Sequence, residues 1–478
     1  MMPSSHNYVR HQTGAVLLLL LLVIVVAASA VLVTKLQSGI ARNHRIADTH
    51  RVLAMAKQAL IDYAITYSEY SPGASARLPC PDIDGSGPWL DGEAHTTACG
   101  NQGVTVAGRF PWKTLSTTPY HDSSGTCLWY VVSGSYKNAA ASTSEMINPD
   151  SNGQLQLYSV ETGLIIEGAA PQDRPVAMIF APMQAVNGQQ RPGVGLPGDN
   201  CSGNFVASDF LDNDSNSGIS NALLSGSPDV IERLSVSTSV NETHNDRIIS
   251  LSRRELANAI YRRHDFAASM TSLTQGIAAC VAEYGRSNAA GPTDKRLPWP
   301  AQMSIADYAD GTLYDDAETG LYSGRLPDRV DDSAARTGNS MSRLLGDCDP
   351  LLVPEWSNTF LSLWQTWKDH YFYVVADAFQ PSAVVPAVCG NCLSMNGSGE
   401  FAAMVFFSGE RLTSSPQVRN GPPIDANTRD EIVNYLEGAN AANHPYIGGV
   451  ADYQSMAATD VFNDIAFCID PAMAVTPC

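Results

Sequence analysis

Ten cysteines carry the most legible chemistry in this chain of 478 residues; they stand at 80, 99, 127, 201, 280, 348, 389, 392, 468 and 478. Their number is even, and they fall in loop-like segments behind an export-type N-terminus. That is the setting of disulfides formed in an oxidising compartment. Cys80 and Cys99 stand across a Gly-rich loop and are expected to close it. Cys389 with Cys392 and Cys468 with Cys478 are the other expected pairs. Zinc competes for Cys389-Gly-Asn-Cys392, but no second Cys-x-x-Cys or Cys-x-x-His completes four ligands. A redox role for that pair lacks the surrounding βαβ pattern.

Acidic turns offer a second chemistry. Asp82-Ile83-Asp84-Gly85-Ser86-Gly87 and Asp212-Asn213-Asp214-Ser215-Asn216 set oxygens at alternate positions, which suits a hard, flexible ion such as Ca²⁺. Neither has the Glu that closes an EF-hand loop, so an Asx-rich surface turn is the competing reading. The aromatic group Trp356, Trp364, Trp367, Tyr371, Phe372 and Tyr373 is either a glycan platform or core. The sequence contains no His-Glu-x-x-His, no Gly-x-Ser-x-Gly and no Walker loop. It predicts no enzyme, and no cofactor beyond possible calcium.

The elements that position these residues begin with an uncharged run, Ala15 to Val33, behind Arg10. Its length predicts a membrane-spanning helix over about 15–34 with the N-terminus on the cytoplasmic side. Ala28-Ser29-Ala30 would suit signal peptidase, but the apolar run continues past it. Helical spacing persists to about residue 68 through Leu36, Ile40, Ala47, Leu53, Leu60 and Ala64. The net charge is −19, while only 16% of residues are charged. An acidic surface without a basic patch excludes nucleic acid as a partner.

The leader ending in Gly14, the apolar segment and its amphipathic continuation resemble a type IV prepilin or pseudopilin. That resemblance implies cleavage after Gly14 by a prepilin peptidase and N-methylation of Ala15. It also implies retention of the helix for the inner membrane and for packing against other pilin subunits. The fifth mature residue is usually Glu in this family; here it is Leu19. The cap pseudopilin of type II secretion is similar in lacking that Glu and in its large size, and the likeness adds to the calcium expectation. "ALIDYAITYSEYSPGASARLPCPDIDGSG", "GRFPWKTL" and "CLWYVV" further resemble prepilin-like proteins with an Arg-Leu-Pro-Cys-Pro-Asp motif.

The chain also resembles itself. Arg77-Leu78-Pro79-Cys80-Pro81 recurs as Arg296-Leu297-Pro298-Trp299-Pro300, and Gly108-Arg109 as Gly324-Arg325. Trp129 to Val132 recurs as Phe372 to Val375, Val176 to Phe180 as Ala402 to Phe406, and Asn245-Asp246 as Asn463-Asp464. Asp62-Tyr63 matches Glu283-Tyr284. Several matches in one order predict a duplication.

The expected fold is α+β: a long N-terminal helix, membrane half plus amphipathic half, then two tandem pilin-like modules, each an antiparallel sheet on a helix. The expected divisions are a leader 1–14, the helix 15–68, a first module 69–250 and a second 251–478 with its own helix at about 252–285. The expected function is a minor pilin or pseudopilin at or near the tip of a type IV pilus or type II secretion pseudopilus. It would prime assembly or present an adhesive head, and sit in the bacterial inner membrane with its C-terminal part in the periplasm before reaching the tip. The alternatives are a membrane-anchored periplasmic binding or adhesion protein outside any filament, and a secreted enzyme cut at Ala30.

Overall fold

The computed structural model describes residues 13–70, 76–84, 91–95, 99, 101, 103–137, 146–191, 201, 203–214, 218–239, 243–262, 265–287, 295–331, 341–382, 388–412, 414, 417–421 and 424–478. Side chains are not described at 13–17, 28, 30–42, 68–70 and 214.

Helix α1 covers Thr13–Tyr70. Thr49, Leu53, Ala56, Leu60 and Ala64 are all fully buried, a stripe at helical spacing against the body. The strands of the first half are β1 (Val106–Arg109), β2 (Trp129–Val132), β3 (Leu155–Ser159), β4 (Ile165–Glu167), β5 (Pro175–Ala181), β6 (Asn213–Asp214), β7 (Ile219–Ser220), β8 (Glu232–Val236) and β9 (Arg247–Ser252). Helices α2 (Arg253–Tyr261) and α3 (Phe266–Ser287) follow. Then come β10 (Ser323–Arg325), β11 (Arg329–Asp331), β12 (Met341–Arg343), α4 (Phe360–Trp367), β13 (Tyr371–Val375), β14 (Leu393–Met395), β15 (Ser398–Phe401) and β16 (Ala403–Phe407). The chain ends with α5 (Gly438–Ala442), β17 (Asp452–Tyr453), β18 (Ile465–Ile469) and β19 (Val475–Pro477).

An antiparallel sheet of order β1-β2-β5-β9 packs on α1, and one of order β10-β13-β16-β18-β19 packs on α3. Repeated residues occupy the same register in both. Val131 lies opposite Met178 as Val374 lies opposite Met404. Gly108 lies opposite Tyr130 as Gly324 lies opposite Tyr373. Both glycines are required by close approach: a Cβ on Gly108 would lie 2.6 Å from the Asp82 carbonyl oxygen, and one on Gly324 2.3 Å from that of Ala301. Beside them Arg109 and Arg325 are buried and spend their guanidinium groups on carbonyls, Arg109 on Cys201 and Asn204, Arg325 on Met303, Asp369 and Arg429.

Three expectations are corrected. The chain is not a membrane-span helix followed by two modules of one antiparallel sheet each. The described residues form six sheets, and two of these contain parallel pairs, β3 with β8 and β14 with β17. The segments between the aromatic strands, rich in turn residues, pair among themselves, which satisfies backbone groups that a loop would leave to water. Secondly, no helix among the described residues is long and apolar enough to cross a membrane, which overturns the span over 15–34 and the single-pass inner-membrane placement. The consecutive apolar side chains that are described run over 18–27. Thirdly, the helix expected over 252–285 is two helices, α2 and α3.

Candidate functional site

All ten cysteines are paired. Cys80–Cys99, Cys389–Cys392 and Cys468–Cys478 join as the sequence suggests. Cys127–Cys201 and Cys280–Cys348 close loops whose ends lie 74 and 68 residues apart, and spacing gave no hint of them. Trp299 replaces Cys80 in the second half and is buried there, so the staple moves to α3 at Cys280. His121 approaches Cys127 and Cys201, but those sulfurs are bonded to each other and are not free to ligate.

The predicted cation turns are drawn into the fold. Asp82 is fully buried, and one carboxylate oxygen accepts the Gly92 N–H at 2.7 Å. Burial is the largest influence on it and, with Asp91 and Asp84 nearby, raises its pKa to about 7 against the pull of the Gly92 N–H and Arg109. Asp84 is half-buried. Asp212 is buried and accepts the N–H groups of Asn245 at 2.7 Å and Asp246 at 2.8 Å. The side chain of Asp214 and residues 85–90 and 215–217 lie outside the described residues.

Asp212 belongs to a clasp that occurs twice. Its own N–H donates to Asp246, which also accepts Asn221 Nδ2 at 2.9 Å. In the second half the Glu437 N–H donates to Asp464, which accepts Asn440 Nδ2 at 2.8 Å, and Asn463 N–H donates to Glu437. The Asn-Asp repeat was visible in the sequence. Its acidic partners Asp212 and Glu437 were not, because they differ in type and lie 34 and 27 residues away.

A buried ionic cluster lies where the halves meet. Asp150 and Asn148 come from the first half, Asp369, His370, Arg419 and Arg429 from the second, and all but half-buried Arg429 are buried. His370 Nε2 stands 2.8 Å from Asp150 Oδ2, and its Nδ1 is hydrogen-bonded to Asp369 Oδ1 at 2.8 Å. Arg419 reaches Asp150 at 3.2 Å, and Asn148 Nδ2 donates to Asp369 at 2.8 Å. Arg174 and Asp425 add a second bridge between the halves at 3.1 Å. Burial alone would push the Asp150 carboxyl up; Arg419 and His370 outweigh it and hold the group well below the usual carboxylate range.

A cleft of about 500 Å³ opens beside the Cys280–Cys348 disulfide, with Tyr284 and Leu352 on its wall. Its Arg343 is paired with Asp328 at 2.7 Å. Of the two readings of the aromatic group, core holds: Trp356, Trp364, Trp367, Tyr371, Phe372 and Tyr373 are all buried.

The remaining surface of note is α1. From Leu18 to Val26 every side chain is apolar, with 54–71% of its surface exposed, and Leu19 among them is 63% exposed. Gly14 and Ala15 lie in the first turn of the same helix, their side chains undescribed, and residues 1–12 lie outside the described residues. No family model, no curated protein and no solved structure matches the chain.

Proposed function

We propose that this chain is an assembly subunit rather than an enzyme. In this reading it enters a filament of the type IV pilus or type II secretion kind, at or near the tip, by packing α1 against the helices of other subunits. The observation that carries the reading is the exposed apolar surface of Leu18 to Val26. A helix apolar on every side is stable when other helices surround it. Two further features fit a terminal place. Leu19 offers no carboxylate to offset the amine of a neighbouring subunit in an apolar filament core. The second half adds bulk that a repeating shaft would have to accommodate in every subunit.

Prepilin peptidase is the implied processing partner, acting after Gly14. Gly14→Val is expected to leave the precursor uncut, whereas the native chain yields a mature N-terminus at Ala15 in mass spectrometry. Gold label on an epitope near Cys478 is expected at one end of isolated filaments. Regular label along the shaft, or normal maturation of the Gly14 variant, rejects the reading.

A further inference from the structure

His370 sits between carboxylates from the two halves, and all three side chains are at most 2% exposed. An ionised carboxylate offers only lone pairs, and so does an unprotonated ring nitrogen. At 2.8 Å in a dry interior two such atoms repel unless a proton lies between them. Nδ1 is hydrogen-bonded to Asp369, and Nε2 stands at ion-pair distance from Asp150 Oδ2 without the alignment of a hydrogen bond, so at each nitrogen a charged ring relieves the repulsion.

Both carboxylates are kept ionised by neighbouring cations, at Asp150 on the same Oδ2 that faces the ring and at Asp369 on the oxygen that the ring leaves free. Arg419 approaches Asp150, and Arg429 stands 3.9 Å from Asp369. We infer that His370 is held as a doubly protonated imidazolium, and that this proton is a switch joining the first half to the second. With the proton in place, Asp150 is tied across the junction to the residue just before β13. Without it, an uncharged Nε2 is left 2.8 Å from Asp150 Oδ2 with no attraction to offset the buried carboxylate, and the junction loosens.

The charged groups around the ring decide the direction. Asp150 and Asp369 favour the charged ring; Arg419, Arg429, Arg253 and Arg325 reach the same cluster and are matched to carboxylates or carbonyls. Tyr136, Tyr261, Tyr314, Tyr435 and Glu410 are further titratable neighbours, and burial raises the pKa of each, while Arg254 and Arg411 stand beside Glu410. Burial of His370 opposes its charge, but the two carboxylates prevail and raise its pKa above the ordinary 6.5. A raised histidine contributes stability that is complete below the unfolded value and disappears as pH rises through the folded one. The switch therefore opens on the alkaline side.

The test uses the intact chain. Urea unfolding and calorimetry are run between about pH 5 and about pH 9, the range that brackets histidine titration. The native chain is expected to lose stability on the alkaline side and to pass from one thermal transition to two. His370→Gln is expected to lose that pH dependence and to show two transitions throughout. An unchanged alkaline loss in the variant overturns the inference. Should that variant not fold, NMR of ¹³C-labelled histidine in the native chain decides. One imidazole that keeps its proton after the others have titrated supports the switch. Loss of all ten protons at or below 6.5 overturns it.

Discussion

Asp82 shows how far burial can move a single group. The residue lies in the Arg-Leu-Pro-Cys-Pro-Asp stretch, is fully buried, and has a pKa raised from 3.8 to about 7, chiefly by desolvation. A raised carboxyl contributes stability that is full below its unfolded value and lost as pH climbs through the folded one. The window therefore runs from about pH 4 to about pH 7, with a swing on the order of 4 kcal/mol. Asp82→Asn keeps an acceptor for the Gly92 N–H and cannot ionise. It is expected to remove this part of the pH dependence and to gain stability relative to the native chain at pH 8. Urea midpoints measured on both sides of the window check it. A variant that tracks the native chain at every pH would assign no role to this carboxyl.

Among the elements, strand register and disulfides divide the work. The two main sheets place equivalent residues at equivalent rungs, so hydrophobic side chains such as Val131 and Val374 stay on fixed faces. The disulfides secure what the sheets do not. Cys127–Cys201 spans 74 residues and Cys389–Cys392 spans 3. Loop-closure entropy assigns about 4 kcal/mol to the first and about 2 kcal/mol to the second. The double variant Cys127→Ser, Cys201→Ser is expected to be the less stable by roughly that difference. Denaturation of both variants beside the native chain measures it, and equal losses would show that native strain rather than loop length governs the effect.

At the scale of the whole molecule the halves are joined by buried charge as well as by apolar contact. Asp150 of the first half is 2% exposed and holds His370 and Arg419 of the second. Removing one partner of a buried pair leaves an uncompensated charge at a cost of about 3–5 kcal/mol. Asp150→Ala is therefore expected to lower stability by that much. The loss should be read by tryptophans far from it in sequence: Trp299, Trp356, Trp364 and Trp367, four of the seven, lie in the second half. If their fluorescence reports an unchanged midpoint, the junction is not a coupling element. Among the described residues α1 presents a continuous run of exposed apolar side chains at Leu18 to Val26, and the proposed assembly role rests on it.

The repeat was legible because buried rungs of a sheet accept few residue types. Gly108 and Gly324 must be glycine against a carbonyl, and Val-Val and Ala-Met sequences persist where both faces are covered. The three short-range disulfides were legible because only 19, 3 and 10 residues separate their cysteines. Cys127–Cys201 and Cys280–Cys348 were not, since chain topology alone brings those ends together. The membrane span was read from apolar length alone, and the structure does not bear it out. Asp150 stands in Asn148-Pro149-Asp150-Ser151-Asn152-Gly153, a run of turn-forming residues. Its meaning comes from His370 and Arg419, which reach it only after two sheets, their helices and the strands between them have packed. Sequence determines which residues can be buried; tertiary structure decides which charges are buried together, because Coulomb attraction acts on distance in space and leaves no period along the chain.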